Sequence, residues 1–76
     1  MRCLGCMTEY PREYGICPHC GYEPETPAES ALHMQPGSIL AGRYLIGRVI
    51  GYGGFGVTYI SWDDTLRQRG GIKENL

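Results

Sequence analysis

Four cysteines within the first 20 residues are the side chains best suited to chemistry in this sequence. They form two C-x2-C pairs, Cys3 with Cys6 and Cys17 with Cys20, separated by ten residues. Each pair offers two thiolates from one tight turn, and two such turns supply the four soft ligands of a tetrahedral metal ion. Four thiolates close the coordination shell to water and substrate. The pattern therefore predicts a structural metal site rather than a catalytic one.

We expect zinc at this site, because closed four-cysteine sites in small cytosolic modules mostly hold zinc. An iron site of the rubredoxin type uses the same ligands, and the spacing does not separate the two metals. A thioredoxin-like redox pair would need a βαβ pattern, and a disulfide framework would need an oxidising compartment. His19 and His33 are expected to be surface residues, since the four thiolates already complete the shell.

The segment Cys17-Pro18-His19-Cys20-Gly21 resembles a metal-binding knuckle of the zinc ribbon family. The resemblance implies a structural zinc ion between two knuckles joined by a hairpin. The spacer of ten residues is shorter than the roughly 15–20 residues common in such pairs, so the hairpin is expected to be abbreviated. Four side chains are expected to pack around the metal: Tyr10, Tyr14, Ile16 and Tyr22.

A second motif with chemical meaning is the G-x-G-x-x-G sequence of residues 51–56, Gly51-Tyr52-Gly53-Gly54-Phe55-Gly56. A dinucleotide-binding fingerprint would open a helix, and a Walker loop would end in G-K-[ST]. Here the residues on both sides of the glycines are rich in aromatic and β-branched types, which favours strands. The motif is therefore expected to be the turn of an antiparallel hairpin.

In its surroundings this glycine-rich hairpin resembles the start of a bacterial serine/threonine protein kinase domain. The resemblance runs from Arg43-Tyr44 through the glycines to Thr58-Tyr59 and Trp62-Asp63, and it covers residues 43–76. Ile72-Lys73-Glu74 falls where the family has its V-A-I-K lysine, 17 residues after Gly56. The resemblance implies that Lys73 contacts the α- and β-phosphates of ATP. It also implies that the hairpin covers the phosphates through Gly51, Gly53, Gly54, Phe55 and Gly56.

The sequence departs from the kinase pattern at several positions. Gly70-Gly71 stand where the family has valine and alanine, and Thr58 stands at the valine position of the glycine-rich loop. The 76 residues include neither an H-R-D nor a D-F-G sequence. We therefore expect an inactive N-terminal piece of a kinase whose parent protein uses ATP and magnesium. The alternative is a self-contained zinc-binding adaptor in which the strands serve as an interaction surface.

The composition divides the chain into three parts around these motifs. Residues 1–22 form the predicted zinc ribbon, residues 23–38 a linker, and residues 39–76 the first three strands of a kinase N-lobe. Thr26 followed by Pro27 and Glu29 suggests two turns of helix within the linker, and the alternative is a solvated linker, because isolated helices this short rarely hold. The predicted fold class is thus small and mainly β. The strands are expected at residues 44–50, 57–62 and 68–73.

The charge is divided unevenly along the chain. Residues 1–38 carry two arginines against five glutamates, a net charge of −3, whereas residues 39–76 carry +2. Neither part has the basic field of a general nucleic-acid binder, so nucleic acid is not an expected partner. The sequence shows neither a membrane span nor a secretory leader, which predicts a cytoplasmic protein. Exposed strand edges predict that residues 39–76 form a homo-oligomer or else dock on the ribbon, and no feature of the ribbon names a protein partner.

Overall fold

One antiparallel sheet dominates the fold. The computed structural model describes residues 1–54 and 56–75. The sheet contains four strands in the order β1-β2-β3-β4, with a single 3-10 turn at Arg12–Tyr14 before it. The strands are β1 (Ile39–Leu40), β2 (Tyr44–Gly53), β3 (Gly56–Asp63) and β4 (Gln68–Glu74). The small, mainly-β fold class is confirmed, with one strand more than predicted.

The additional strand, β1, is a two-residue piece that pairs with the start of β2. Between them Ala41 and Gly42 both have positive φ, which makes the connection a tight turn. Sequence patterns detect strands by alternation over several residues, and two residues are too short to show it. The three predicted strands all form, each extended by one to three residues in the structure.

The central strand β3 separates two buried faces of the sheet. On one face, which we call the core face, lie Ile46, Val57 and Tyr59, each no more than 2% exposed. Side chains alternate along a strand, so Thr58, Ile60 and Trp62 point to the opposite face, which we call the ribbon face. Both faces of β3 are largely covered, and each is covered by a different part of the chain.

The linker covers the core face, and it does so without a helix. Residues 23–38 form turns and bends, so the predicted two turns of helix are wrong. The Thr26 hydroxyl donates 2.9 Å back to the Glu23 carbonyl instead of capping the residues that follow. Further along, the Met34 amide donates to the Tyr59 hydroxyl at 2.9 Å, and Met34 packs against the core. The linker is therefore a folded cover rather than a solvated tether.

The cysteine-rich segment docks on the ribbon face through backbone groups. The Leu4 carbonyl accepts from the Arg48 amide at 2.9 Å, and the Gly5 carbonyl accepts from the Arg48 guanidinium at 2.8 Å. A Cβ at Gly47 would overlap the Leu4 carbonyl and the Met7 side chain, so glycine is required there for the two backbones to approach. An interior glycine of β2 thus marks the place where the first knuckle meets the sheet.

Side chains complete this docking. Met7 is only 2% exposed, and its backbone is in the left-handed region with a φ of +64°. The Arg2 guanidinium stacks 3.5 Å above the Trp62 ring, and Arg69 donates to the Cys6 carbonyl at 3.1 Å. The three parts predicted from composition therefore pack into one unit. Over the described ranges, no helix is long and apolar enough to cross a membrane.

Candidate metal centre and glycine-rich hairpin

The four cysteine sulfurs converge on one point. All four Sγ atoms lie within 4.8 Å of one another, with Cys3 to Cys20 at 3.5 Å and Cys6 to Cys17 at 3.8 Å. A tetrahedral ion with metal–sulfur bonds of about 2.3 Å places its ligands about 3.8 Å apart. None of the four thiols is in a disulfide. The predicted ligand set therefore fits a single tetrahedral metal ion.

Two backbone turns of the same design hold the sulfurs. In each turn the amide two residues after the first cysteine donates to its sulfur, Gly5 to Cys3 at 3.2 Å and His19 to Cys17 at 3.4 Å. Directly after each second cysteine the backbone is left-handed, at Met7 (φ 64°) and at Gly21 (φ 79°). The two knuckles are thus related by an approximate two-fold repeat, with methionine where its counterpart has glycine.

The cysteine thiols have different pKa values because their environments differ. Burial raises the pKa of Cys3 to about 12, even though the Gly5 and Cys6 amides donate to its sulfur. Burial also acts on Cys6, but hydrogen bonds from the Thr8 hydroxyl and amide outweigh it and lower its pKa to about 6. Thiols bind metal as thiolates, so the ion must displace the proton of Cys3, and the affinity falls in acid.

The surroundings of the metal centre match the prediction only in part. Tyr10 is 4% exposed and donates to the Gly15 carbonyl at 2.8 Å, and Tyr22 packs against the same cluster. Tyr14 and Ile16 were expected there too, but they are 62% and 49% exposed, so that prediction is wrong. Between them lies Gly15, whose φ is +70° at the end of the 3-10 turn.

The histidines lie outside the sulfur cluster. His19 is exposed, as predicted. His33 is half-buried and packs edge-on against the Tyr59 ring at a centroid distance of 6.4 Å, so its placement at the surface is corrected. The linker brings His33 to the core face because it folds over that face instead of extending into solvent.

The glycine-rich segment closes the β2–β3 hairpin, as expected. Gly51 and Gly53 end β2, Gly54 lies in the turn, and Gly56 begins β3 opposite Gly53. Phe55, expected at the tip of the hairpin, lies outside the described residues. A tight antiparallel turn leaves no helix start at the glycines, which agrees with the exclusion of a dinucleotide fingerprint.

Lys73 lies beside this hairpin. It is directly opposite Thr58 in the β3–β4 register, so both side chains share the ribbon face. A shallow cleft of about 270 Å³ is formed by Lys73 and Thr58 together with Tyr52, Gly53, Gly54 and Gly56. The same face of β4 carries Arg69 against the first knuckle, about 13 Å along the strand from Lys73. The candidate metal centre and the cleft therefore occupy opposite ends of one sheet face.

The glycines of the hairpin differ in what the fold requires of them. A Cβ at Gly56 would overlap the Glu74 carbonyl, so close packing of β3 on β4 demands glycine there. A Cβ at Gly51, Gly53 or Gly54 would meet no atom within 4 Å, and none of the three has positive φ. The packing of the described chain thus explains one glycine of the hairpin and not the other three.

Sequence patterns missed the residues that join the metal centre to the sheet. These residues are Arg2, Met7, Gly47, Arg48 and Arg69. The interior glycine of β2 was an available signal, since glycine inside a strand often marks a close backbone approach. The arginines gave none, because Arg48 and Arg69 donate to carbonyl groups more than 40 residues away and Arg2 stacks on the distant Trp62 ring.

Comparisons with known proteins point to kinases. The chain is 34% identical over 62 residues to the serine/threonine-protein kinase PknG of Mycolicibacterium smegmatis and 32% identical to the PknG of Mycobacterium leprae. Each alignment covers 82% of this chain and 8% of the relative. The chain is therefore homologous to a small segment of these kinases. No family model and no solved structure matches it.

Proposed function

We propose that this chain is part of a serine/threonine protein kinase, in which a structural zinc ribbon packs on the strands that cover ATP. The full protein transfers the γ-phosphate of magnesium-bound ATP to serine or threonine hydroxyls of a protein. The 76 residues alone are inactive, because their sequence contains no H-R-D or D-F-G segment. The homologous segment in two kinases supports this assignment.

The observation that carries the proposal is the position of Lys73 beside the glycine-rich hairpin. A hairpin of this kind offers backbone amides to phosphate oxygens, and an adjacent ammonium group balances their charge. Lys73 is exposed, and its side chain points to the same face as Thr58 in the cleft. This placement of Lys73 beside the hairpin supports a phosphate-binding role for the two together.

The unexplained glycines support the same role. A Cβ at Gly51, Gly53 or Gly54 would face open space, so the packing of the fold does not require glycine at these positions. A phosphate group can approach the backbone closely only where there is no side chain, because a Cβ would hold it away from the amides. The hairpin is thus shaped for a ligand that approaches the main chain.

Zinc in the ribbon acts by holding structure. Four thiolates and a divalent ion leave a formal charge of about −2 at the site. The first knuckle receives hydrogen bonds from three arginines, at the carbonyls of Gly5, Cys6 and Met7. These cations offset the negative charge and tie the knuckle to β2 and β4. The ribbon is therefore a module fixed on the same sheet face as the cleft, at its opposite end, with an interaction or regulatory role.

Substitution of Lys73 in the full natural protein tests the proposal. Lys73→Ala should lower protein phosphorylation roughly 100-fold or more, because a charged group stabilising the transferring phosphates is lost. Arg67→Ala is the matched control, since it removes an exposed cation from the β3–β4 turn outside the cleft. Equal activity of the Lys73→Ala and wild-type proteins would overturn the proposed role.

The second candidate function is a zinc-binding adaptor without catalysis. It is favoured by the packing of ribbon, linker and sheet into one unit with buried faces. The sequence of the natural gene distinguishes the two candidate functions. Continuation beyond Leu76 into H-R-D and D-F-G sequences supports the kinase, and a stop supports the adaptor. For either function we propose the cytosol, where ATP is present and thiolates stay reduced.

A further inference from the structure

The ribbon carries an apolar groove on its outer surface. The groove has a volume of about 360 Å³, and its walls come from the spacer between the knuckles and from the start of the linker. Its lining consists of Tyr14, Gly15, Ile16, Glu23, Pro24 and Glu25. Tyr14 and Ile16 are 62% and 49% exposed, which makes them the exposed large apolar side chains of the ribbon.

The fold of the ribbon does not explain these two side chains. The cluster around the sulfurs is built from Cys3, Tyr10 and Cys17, with Met1, Cys6 and Tyr22 packed against it. Neither Tyr14 nor Ile16 belongs to it. Scattered exposed apolar residues are ordinary, but adjacent ones that form the wall of a groove mark an interaction site. The pair therefore has more to contribute to binding than to folding.

The groove is fixed before any partner arrives. The Tyr14 and Gly15 amides donate to the Pro11 and Arg12 carbonyls, each at 3.1 Å, and the Ile16 amide donates to the Tyr14 carbonyl at 2.8 Å. The buried Tyr10 hydroxyl holds the Gly15 carbonyl at 2.8 Å. A preformed backbone reduces the conformational entropy that binding would otherwise cost.

The charge around the groove selects its occupant. Two carboxylates, Glu23 and Glu25, line it, and no cation does. Residues 1–38, which include the groove, carry a net charge of −3 in the sequence. Such a field repels nucleic acids and anionic lipid surfaces and attracts cationic groups. An apolar centre with an acidic rim is complementary to an apolar side chain between basic ones.

We propose that this groove binds a protein segment in which a large apolar side chain is flanked by lysine or arginine. The apolar side chain packs between Tyr14, Ile16 and Pro24, while the flanking cations face Glu23 and Glu25. The proposal rests on the spacer between the knuckles and on the start of the linker. It holds whether or not the strands bind ATP.

Three synthetic peptides test it against the 76-residue chain. The first, Ac-GKRLFKRG-NH2, has both features; the second, Ac-GKRSSKRG-NH2, lacks the apolar pair; the third, Ac-GEELFEEG-NH2, reverses the charge. Titration into isotope-labelled chain, followed by amide chemical shifts, should show shifts confined to residues 13–17 and 22–26 for the first peptide. The other two should bind at least roughly tenfold more weakly, since each lacks one of the two contributions.

Variants of exposed residues complete the test. Tyr14→Ser combined with Ile16→Ser should weaken the first peptide roughly tenfold, while Leu32→Ser, at a side chain 75% exposed in the linker, should not. Shifts spread over residues 27–38, equal binding of the first two peptides, or no effect of the double variant would overturn the proposal. So would concentration-dependent shifts at the groove without peptide, which would identify a second copy of the chain as its occupant.

Discussion

The hydroxyl of Tyr59 donates a hydrogen bond to the Glu74 carboxylate at 3.0 Å and accepts one from the Met34 amide at 2.9 Å. Tyr59 itself is fully buried on the core face. Burial and its contact with Glu74 raise the pKa of this phenol, partly opposed by the Met34 amide, so the hydroxyl keeps its proton as donor. One side chain of β3 thus connects the linker to the strand that carries Lys73.

Removing this hydroxyl should loosen both connections. Tyr59→Phe leaves the Met34 amide and Glu74 without a partner, and we expect the free energy of unfolding to fall by about 2 kcal/mol. Denaturant unfolding measures the loss, and faster hydrogen exchange at the Met34 amide localises it. Tyr52→Phe is the control, because Tyr52 is 82% exposed and its change should be neutral. Equal stability of the two variants would contradict the connecting role of Tyr59.

Because of the ion pair between Arg43 and Asp63, we expect the protein to lose stability in acid. The paired hydrogen bonds from Arg43, at 2.9 and 2.8 Å, together with the Leu66 and Thr65 amides, lower the pKa of Asp63 from 3.8 to about 2. Folding then favours the carboxylate, so this stabilisation is complete above pH 3.8 and is lost as the pH falls towards 2.

Two variants distinguish the contribution of Asp63 to this pH dependence from the contributions of other carboxylates. In Asp63→Asn the fall in stability between pH 4 and 2 should be smaller than in the wild type, whereas Asp64→Asn, at an exposed ion pair, should leave it unchanged. Thermal unfolding over this pH range provides the measurement. An unaltered pH dependence in Asp63→Asn would show that the Arg43 pair contributes nothing there.

Substitution by alanine should destabilise the protein at Gly47 but not at Gly51, although both glycines lie in β2. Gly47→Ala forces a Cβ against the Leu4 carbonyl and should cost about 2 kcal/mol by separating the ribbon from the sheet. Gly51→Ala meets open space and should change the stability by less than about 0.5 kcal/mol. In the full protein, however, Gly51→Ala should weaken ATP binding. Similar unfolding curves for both variants would contradict the docking of Leu4 on Gly47.

How far the sequence could predict the site depends on the distance between its parts. Each C-x2-C pair lies within one turn, and the glycine-rich hairpin joins neighbouring strands, so local patterns sufficed for the cysteine cluster and for the hairpin. The docking of Leu4 on Gly47 and of Cys6 on Arg69 joins distant segments through main-chain carbonyls. Gly47, a glycine inside a strand, signals that something approaches the backbone there but not which segment, and the arginine at position 69 gives no signal of its partner.

The linker shows a second limit. Thr26 followed by Pro27 is a common helix start, but a threonine hydroxyl can also donate to a preceding carbonyl, as it does here to Glu23. The choice is made by tertiary contacts, since Met34 and Gly37 are held by Tyr59 and Ile46. A segment this short has too little intrinsic helix stability to resist them.

The free edge of β4 leads us to expect self-association. Both sheet faces are partly covered by the linker and the ribbon, but β4 has a neighbour on one side only among the described strands. Unpaired strand edges recruit further strands. Sedimentation over a roughly hundredfold concentration range should therefore show reversible growth in mass, with slower hydrogen exchange in β4. A constant monomer mass over that range would contradict this expectation.

Metal content tests the account most directly, because the proposed ribbon depends on one ion between Cys3, Cys6, Cys17 and Cys20. Reduced wild-type protein should contain one equivalent of zinc, whose binding contributes on the order of 10–16 kcal/mol at neutral pH. Cys17→Ser should lose the metal and the fold of residues 1–22, whereas His19→Ala should keep both. A strong chelator should release protection at the Arg48 amide, which donates to Leu4, while the centre of β3 changes less. Less than roughly half an equivalent of zinc or iron in wild-type protein would contradict the account.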